Sequence, residues 1–120
     1  MDQKWEIIYY ENPQGQSPIR DFIQDLDTKI QNKIVEVLEQ LEEFGTLLGH
    51  PHSKKVTGTP LWELRILGGN NIRIFYVAVV NRRFLLLHAF LKKKQKTDIK
   101  EIKTAINRLT DYRSRLKIGT

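Results

Sequence analysis

The sequence contains no cysteine, which excludes a disulfide scaffold and cysteine-ligated metal sites. Its longest apolar run, residues 74–80, is far too short to cross a bilayer, and residues 1–6 do not begin a signal peptide. We therefore expect a cytoplasmic protein without a membrane partner. The length of 120 residues is that of one domain, which we assign to residues 1–120, and it allows a substantial core.

Acidic side chains are scarce after residue 45. Residues 1–45 carry ten acidic and four basic side chains, a net charge of −6. Residues 46–120 carry four acidic and sixteen Lys and Arg side chains, a net charge of +12. Such a basic half suggests a polyanion as partner. A solvated basic surface with no specific ligand is the alternative.

Four stretches rich in β-branched and aromatic residues predict strands. They cover residues 5–10, 62–66, 72–80 and 84–90. The last three follow one another through short turns, which predicts a three-stranded antiparallel meander. Because this meander is so hydrophobic, at least one of its faces must be covered.

Apolar residues at helical spacing predict three helices. Ser17 and Pro18 are typical of a helix start, and a second helix at 29–44 is followed by Gly45, a typical helix stop. The segment 98–101, which begins with Asp98 and ends with Glu101, predicts a capping box for the last helix. The order β-α-α-β-β-β-α indicates an α+β domain with a small antiparallel sheet and helices packed on it.

Four polar residues of the meander require an explanation. Glu63 and Arg65 alternate with apolar residues and share one face of their strand. Arg73 lies on an otherwise apolar strand, so its guanidinium must leave the core or be paired. Its expected neighbours, Arg65 and the lysines after the last strand, are cations and not partners. We therefore predict a functional role for Arg73, with a buried ion pair as the alternative, and interpret His88 as either a sheet histidine or a proton acceptor.

Lysines flank the meander on both sides. Lys54 and Lys55 lie in the predicted loop 46–60, and four more follow the last strand. The lysines that we expect to bind a ligand are Lys54, Lys55, Lys92, Lys93, Lys94 and Lys96. Carboxylates are too few here for a two-metal nuclease, and His50 and His52 lack a third ligand. We expect neither a metal nor a cofactor.

A cluster of arginines and lysines suits metal-free cleavage of RNA. The 2′-hydroxyl of RNA attacks the adjacent phosphate, and fixed cations stabilise the charge that builds on the phosphate oxygens. The general base stays open among three candidates. The candidates are Glu63, His88 and a lysine whose pKa is lowered by neighbouring cations. A catalytic Ser-His-Asp set and a glycine-rich phosphate loop are not recognisable in the sequence.

Three segments of the meander resemble the RelE/ParE toxin superfamily, and within it the HigB-like, phage Gp49-like toxins. They are LWELRI at 61–66, IRIFY at 72–76 and LHAFLKK at 87–93. The helix start at Ser17 and the terminal helix also fit, so the resemblance covers nearly the whole chain. Lys94 departs from the threonine that often follows the lysine pair, and Asp98 departs from a common proline.

The resemblance implies the toxin of a type II toxin–antitoxin pair. Such toxins are typically ribosome-dependent endoribonucleases that cleave mRNA. The implied partners are the ribosome with its mRNA, a HigA-like helix-turn-helix antitoxin, and operator DNA bound through the toxin–antitoxin complex. By position, Arg65 and Arg73 match phosphate-binding cations, Lys92 and Lys93 match a basic residue after the last strand, and Glu63 matches a catalytic polar residue of some members.

Two other functions remain open from the sequence. The ParE branch shares the fold and is similar to a gyrase poison, which implies a non-enzymatic inhibitor of a protein target. A plain nucleic-acid-binding module would bind without cleavage or toxicity. The cluster of Arg65, Arg73 and the lysines favours RNA cleavage.

Overall fold

The computed structural model describes residues 4–68, 71–97 and 99–118. It contains five β-strands, three α-helices and one short 3₁₀-helix within these ranges. In chain order they are β1 (Glu6–Tyr9), α1 (Pro18–Gln24), α2 (Thr28–Phe44), the 3₁₀-helix (Gly45–Leu47), β2 (Ser53–Lys55), β3 (Trp62–Ile66), β4 (Ile72–Val79), β5 (Arg83–Leu91) and α3 (Ile99–Ile118). The predicted α+β class is confirmed.

The five strands form one sheet in the order β1-β5-β4-β3-β2. The predicted antiparallel meander of β3, β4 and β5 is confirmed. The sheet is not wholly antiparallel, because β1 pairs in parallel with β5. The helices α1 and α2 lie between β1 and the other strands in the chain order, and β1 and β5 run in the same direction.

One strand lies inside the segment that we predicted to be a loop. Residues Ser53–Lys55 form β2, which pairs with β3 so that Lys54 faces Glu63. Three residues are too few to carry an alternating pattern of their own. The strand exists because its backbone groups pair with β3.

Side chains and a glycine define the helix ends, as predicted at Ser17 and at Gly45. Ser17 caps α1, and its hydroxyl accepts a hydrogen bond from the backbone N–H of Arg20. Asp27 does the same for α2 through the N–H of Ile30. Gly45 ends α2 with a positive φ of 58°. The predicted cap at Asp98 lies outside the described residues.

The sheet has two different faces. Cross-strand partners in an antiparallel sheet point to the same side. Leu64 and Ile74 therefore share one face, where they are fully buried in a core that also contains Ile34 and Leu41 of α2. The opposite face carries the polar residues of the meander and packs against α3. Within the described ranges, no helix has the length and apolar character needed to span a membrane.

Candidate functional site

The register of β3 and β4 gathers three charged side chains on the α3 side of the sheet. Arg65 lies directly opposite Arg73, and Glu63 lies opposite Phe75. As predicted from strand alternation, Glu63 and Arg65 share this face. Arg73 joins them because cross-strand partners point to the same side.

Glu63 is the carboxylate between the two arginines. Its Oε1 lies 3.3 Å from Nε of Arg73 and 3.8 Å from Nε of Arg65. Glu63 is 6% exposed, and the side chains of Arg73 and Arg65 are 12% and 30% exposed. The expectation that the neighbours of Arg73 are all cations is wrong. Glu63 is its diagonal neighbour across the strands, a distance that long side chains can span.

The two guanidiniums keep donors that the protein does not use. Both Nε atoms are buried without a hydrogen-bond partner, so the contacts with Glu63 are ion pairs and not hydrogen bonds. Arg73 donates one hydrogen bond, from Nη1 to the carbonyl oxygen of Ile72 at 3.1 Å. The terminal amino groups of Arg65 form no hydrogen bond within the described part of the chain. Arginine binds anions through such donors.

A groove of about 560 Å³ opens beside Glu63. The side chains that line it include Lys54 and Lys55 from β2, and Lys92 and Lys96 from the segment after β5. This segment, residues 92–97, is anchored where the N–H of Lys92 donates to the carbonyl of Asn71 at 2.8 Å. The fold thus brings four of the six predicted lysines to the buried carboxylate. We call this groove the lysine groove.

The other two lysines lie in a neighbouring cleft. Lys93 and Lys94 line a space of about 170 Å³ together with Phe90 and Glu101. Lys92 and Lys96 line both this cleft and the lysine groove. Among the predicted lysines, these two therefore connect the two spaces.

His88 shares the sheet face with Glu63, but its ring nitrogens are occupied. Nε2 lies 2.9 Å from Oε1 of Glu101, and Nδ1 lies 3.2 Å from Nη1 of Arg108. Arginine only donates, so Nδ1 accepts and the imidazole proton on Nε2 is donated to Glu101. Burial lowers the pKa of His88; the hydrogen bond to Glu101 opposes this shift, and the cation of Arg108 adds to it. The imidazole is held neutral as a link between β5 and α3.

Other residues of α3, which are not among the predicted site residues, complete this link. Arg108 also donates to the carbonyl of Leu87 at 2.9 Å. Tyr10 donates from its hydroxyl to Oδ2 of Asp111 at 2.6 Å, and Arg115 binds the same oxygen at 2.8 Å. Glu101, Arg108 and Arg115 recur every seven residues, a spacing that returns to one face of a helix. This recurrence is the feature of the sequence from which these residues of α3 could have been identified.

The described residues include no group of three His, Asp or Glu side chains arranged to hold a metal ion. The chemistry that the site offers on its own is therefore that of fixed cations around a buried carboxylate. Such an arrangement binds phosphate groups and stabilises negative charge on their oxygens.

The five-stranded sheet with three helices and a cationic groove is compatible with a RelE-like fold. A family model described as phage-derived protein Gp49-like (DUF891) matches residues 21–110, which is 90 of the 120 residues. The chain belongs to this Gp49-like family, a family of RelE/HigB-like toxins. Membership suggests the toxin of a toxin–antitoxin pair and implies an antitoxin as partner. No curated protein matches the sequence.

Proposed function

We propose that this protein is the toxin of a type II toxin–antitoxin system and a ribosome-dependent, metal-independent endoribonuclease. It cleaves mRNA and so inhibits translation and growth. The observation that carries the proposal is the pair Arg65 and Arg73, two guanidiniums in ion-pair contact with the buried Glu63, which itself lines the lysine groove. Membership of a toxin family supports it.

The proposed reaction is an internal displacement at one phosphate of the RNA. The 2′-oxygen loses its proton to a base and forms a bond to phosphorus, while the bond from phosphorus to the 5′-oxygen breaks. The leaving 5′-oxygen takes up a proton. The products are a 2′,3′-cyclic phosphate and a 5′-hydroxyl, so neither water nor a metal-bound nucleophile enters this step.

The cations divide into three roles in this proposal. Arg65, Arg73 and Lys93 stabilise the phosphate in the transition state, where negative charge on its oxygens is greatest, and Lys92 has a separate role. The remaining lysines hold the RNA on either side of the cleaved bond. These are Lys54, Lys55, Lys94 and Lys96.

We assign the general base to Lys92 among the three candidates. Glu63 is paired with two arginines, and both ring nitrogens of His88 are engaged. Lys92 lines both spaces at the site. A lysine in its neutral form within reach of the 2′-hydroxyl accepts its proton. Lys92→Arg keeps the positive charge but removes the base, so it should stop cleavage. Lys29→Arg, on the exposed side of α2, is the matched control.

The proposed partners are the ribosome with its mRNA and a HigA-like helix-turn-helix antitoxin. Operator DNA binds through the toxin–antitoxin complex. The +12 charge of residues 46–120 suits ribosomal RNA and mRNA, which are both polyanions.

Inducing the protein alone in bacteria and mapping the 5′ ends of mRNA tests the proposal. We expect growth arrest together with new 5′-hydroxyl ends within translated regions, and neither result with Arg65→Ala. Intact mRNA with DNA damage would indicate a ParE-like inhibitor of DNA gyrase instead. RNA binding without cleavage or arrest would indicate a plain nucleic-acid-binding module.

A further inference from the structure

We propose that Glu63 is a positioning residue for Arg65 and Arg73 and not the general base. Its carboxylate holds the Nε side of both guanidiniums and leaves their terminal amino groups for a phosphate of the RNA. This inference rests on the proposed function, because it assumes that a phosphate binds at the lysine groove. In this role Glu63 sets the orientation of the two guanidiniums and takes no proton from the RNA.

Charge is the first reason. Arg65 and Arg73 lie directly opposite each other, and like charges in that position repel. Within the described part of the chain, Glu63 is the one carboxylate in ion-pair contact with either of them. Without it, two adjacent guanidiniums on the same sheet face would turn away from each other.

The shape of the guanidinium is the second reason. It is planar, with Nε on one side and the two terminal amino groups at its end, and it binds phosphate best through two parallel hydrogen bonds. Glu63 contacts Nε of both arginines. Nη1 of Arg73 is fixed on the carbonyl of Ile72 as well. The side chain of Arg73 is therefore held at two points.

The second carboxylate oxygen reaches the segment that carries the lysines. Oγ1 of Thr97 lies 3.5 Å from Oε2 of Glu63, a long hydrogen bond. Thr97 lines the lysine groove together with Lys92 and Lys96. One buried carboxylate thus contacts both arginines and the 92–97 segment. Each oxygen therefore has a contact within the protein, and a 2′-hydroxyl would have to compete with the two arginines and Thr97 to reach this buried carboxylate.

Glu63→Gln separates positioning from simple electrostatics. The substitution keeps the size of the side chain and removes its negative charge, so the site becomes more positive. Electrostatics alone would then bind RNA at least as tightly and cleave it at least as fast. Positioning predicts the opposite for the chemical step, because misplaced reacting groups can cost about 10²-fold in rate.

The test is single-turnover cleavage of ribosome-bound mRNA across a pH series by the wild-type protein, Glu63→Gln, Arg65→Ala and the double variant. We expect Glu63→Gln to lower the single-turnover rate constant at saturation by about 10–10², while the protein concentration that gives half of this rate changes little. The pH profile should keep its shape. In the Arg65→Ala background, Glu63→Gln should cost much less, because residues that act as a unit are not additive.

Three results would overturn the inference. They are a Glu63→Gln variant that cleaves as fast as the wild type, a profile that loses its acidic limb as expected for a base, and full additivity with Arg65→Ala. If Glu63→Gln does not fold, Glu63→Asp takes its place, since it keeps the charge but withdraws it by one methylene. A slower Asp variant with an unchanged profile supports positioning, and wild-type activity in that variant contradicts it.

A second measurement does not depend on cleavage. The side-chain Nε–H signals of Arg65 and Arg73 in NMR should exchange slowly with solvent in the wild type, because both atoms are buried. They should exchange much faster in Glu63→Gln. A wild type that cleaves no mRNA would refute the proposed function but leave this result intact. Unchanged exchange in the variant would refute positioning by Glu63, whether or not the protein is a nuclease.

Discussion

Arg65 and Arg73 lie in direct cross-strand register on β3 and β4, two like charges on one face of the sheet. Such a pair destabilises a sheet unless an anion lies beside it. Glu63 supplies one negative charge for the two positive ones. One positive charge of the pair is left over, and in the proposed function a bound phosphate would neutralise it.

Arg73→Ala should abolish growth arrest while the protein stays folded and still binds its antitoxin. Glu63 keeps Arg65 as its ion-pair partner in this variant, which limits the loss of stability. Removing one preorganised donor to the phosphate should slow cleavage by about 10²–10³. Arg73→Lys should recover only part of the activity, because an ammonium cannot form two parallel hydrogen bonds. A thermal melt paired with a cleavage assay measures both effects.

The matched control for this prediction is Arg113→Ala, which removes an exposed arginine of α3. It should leave both cleavage and the melt unchanged. A folded Arg73→Ala variant that cleaves at the wild-type rate would remove Arg73 from the mechanism. A variant that unfolds would instead identify Arg73 as a structural ion-pair partner of Glu63.

Gly45→Ala should destabilise the protein. A Cβ at this position would lie 2.6 Å from Cδ1 of Trp5, and the backbone has a positive φ that side chains disfavour. The indole cannot yield easily, because it stacks on Phe84 with ring centroids 4.3 Å apart. Overpacking of this kind costs about 1–3 kcal/mol in the free energy of unfolding. Urea denaturation measures the loss, and Gly49→Ala, where a Cβ meets no atom within 4 Å, is the control. Equal stability of the two variants would contradict the explanation.

Cleavage should continue when divalent metals are removed. Among the described residues that line the lysine groove, Glu63 is the one acid, and its charge is already offset by two arginines. Lysines around it repel a divalent cation. The measurement is cleavage of ribosome-bound mRNA with excess EDTA, with the ribosomes kept intact by a polyamine. Loss of cleavage that one specific divalent metal restores would contradict the prediction.

Association with the antitoxin should slow as salt is added, if the antitoxin covers the lysine groove. The basic residues of 46–120 would then steer an acidic surface of the antitoxin, and salt screens such steering. Stopped-flow mixing at several ionic strengths measures the association rate. Lys92→Gln combined with Lys96→Gln should weaken the salt dependence. An association rate that does not change with salt would indicate docking elsewhere, such as on α1 and α2.

The main elements of the fold follow from local sequence, whereas the pairing of the edge strands does not. The strands β3, β4 and β5 are predicted because alternating or continuous apolar residues lie between clear turn residues. The strand β2 has three residues and no pattern of its own. The parallel pairing of β1 depends on how two helices return the chain to the sheet, and periodicity within a strand carries no information about it.

The residues of the candidate site could be proposed from the sequence, but the contacts between them could not. Strand alternation places Glu63 and Arg65 together, but contact between Glu63 and Arg73 depends on the register of β3 against β4. That register follows from the turn between the strands and from packing, not from either strand alone. The partners of His88 lie 13 and 20 residues further along the chain, on a helix whose position over the sheet is a tertiary feature.

The neutral His88 predicts how stability depends on pH. Its pKa in the folded protein is lowered from the ordinary value of 6.5, mainly by burial. The unfolded chain therefore binds a proton at His88 at a higher pH than the folded chain does. As the pH falls below about 6.5, the unfolded state takes up this proton first, so the free energy of unfolding decreases. Above that pH the contribution of His88 is complete.

His88→Asn should flatten this part of the pH dependence. We expect the wild type to lose more stability than the variant between pH 7.5 and pH 5.5, values of about one unit on either side of the unfolded pKa. The variant loses the contacts with Glu101 and Arg108 and is therefore less stable at both pH values. The quantity to compare is the difference between the urea midpoints at the two pH values. His50→Asn, at an exposed position, should keep the wild-type difference. If wild type and His88→Asn lose the same amount, protonation of His88 does not limit stability, and the link between β5 and α3 tolerates the charged imidazole.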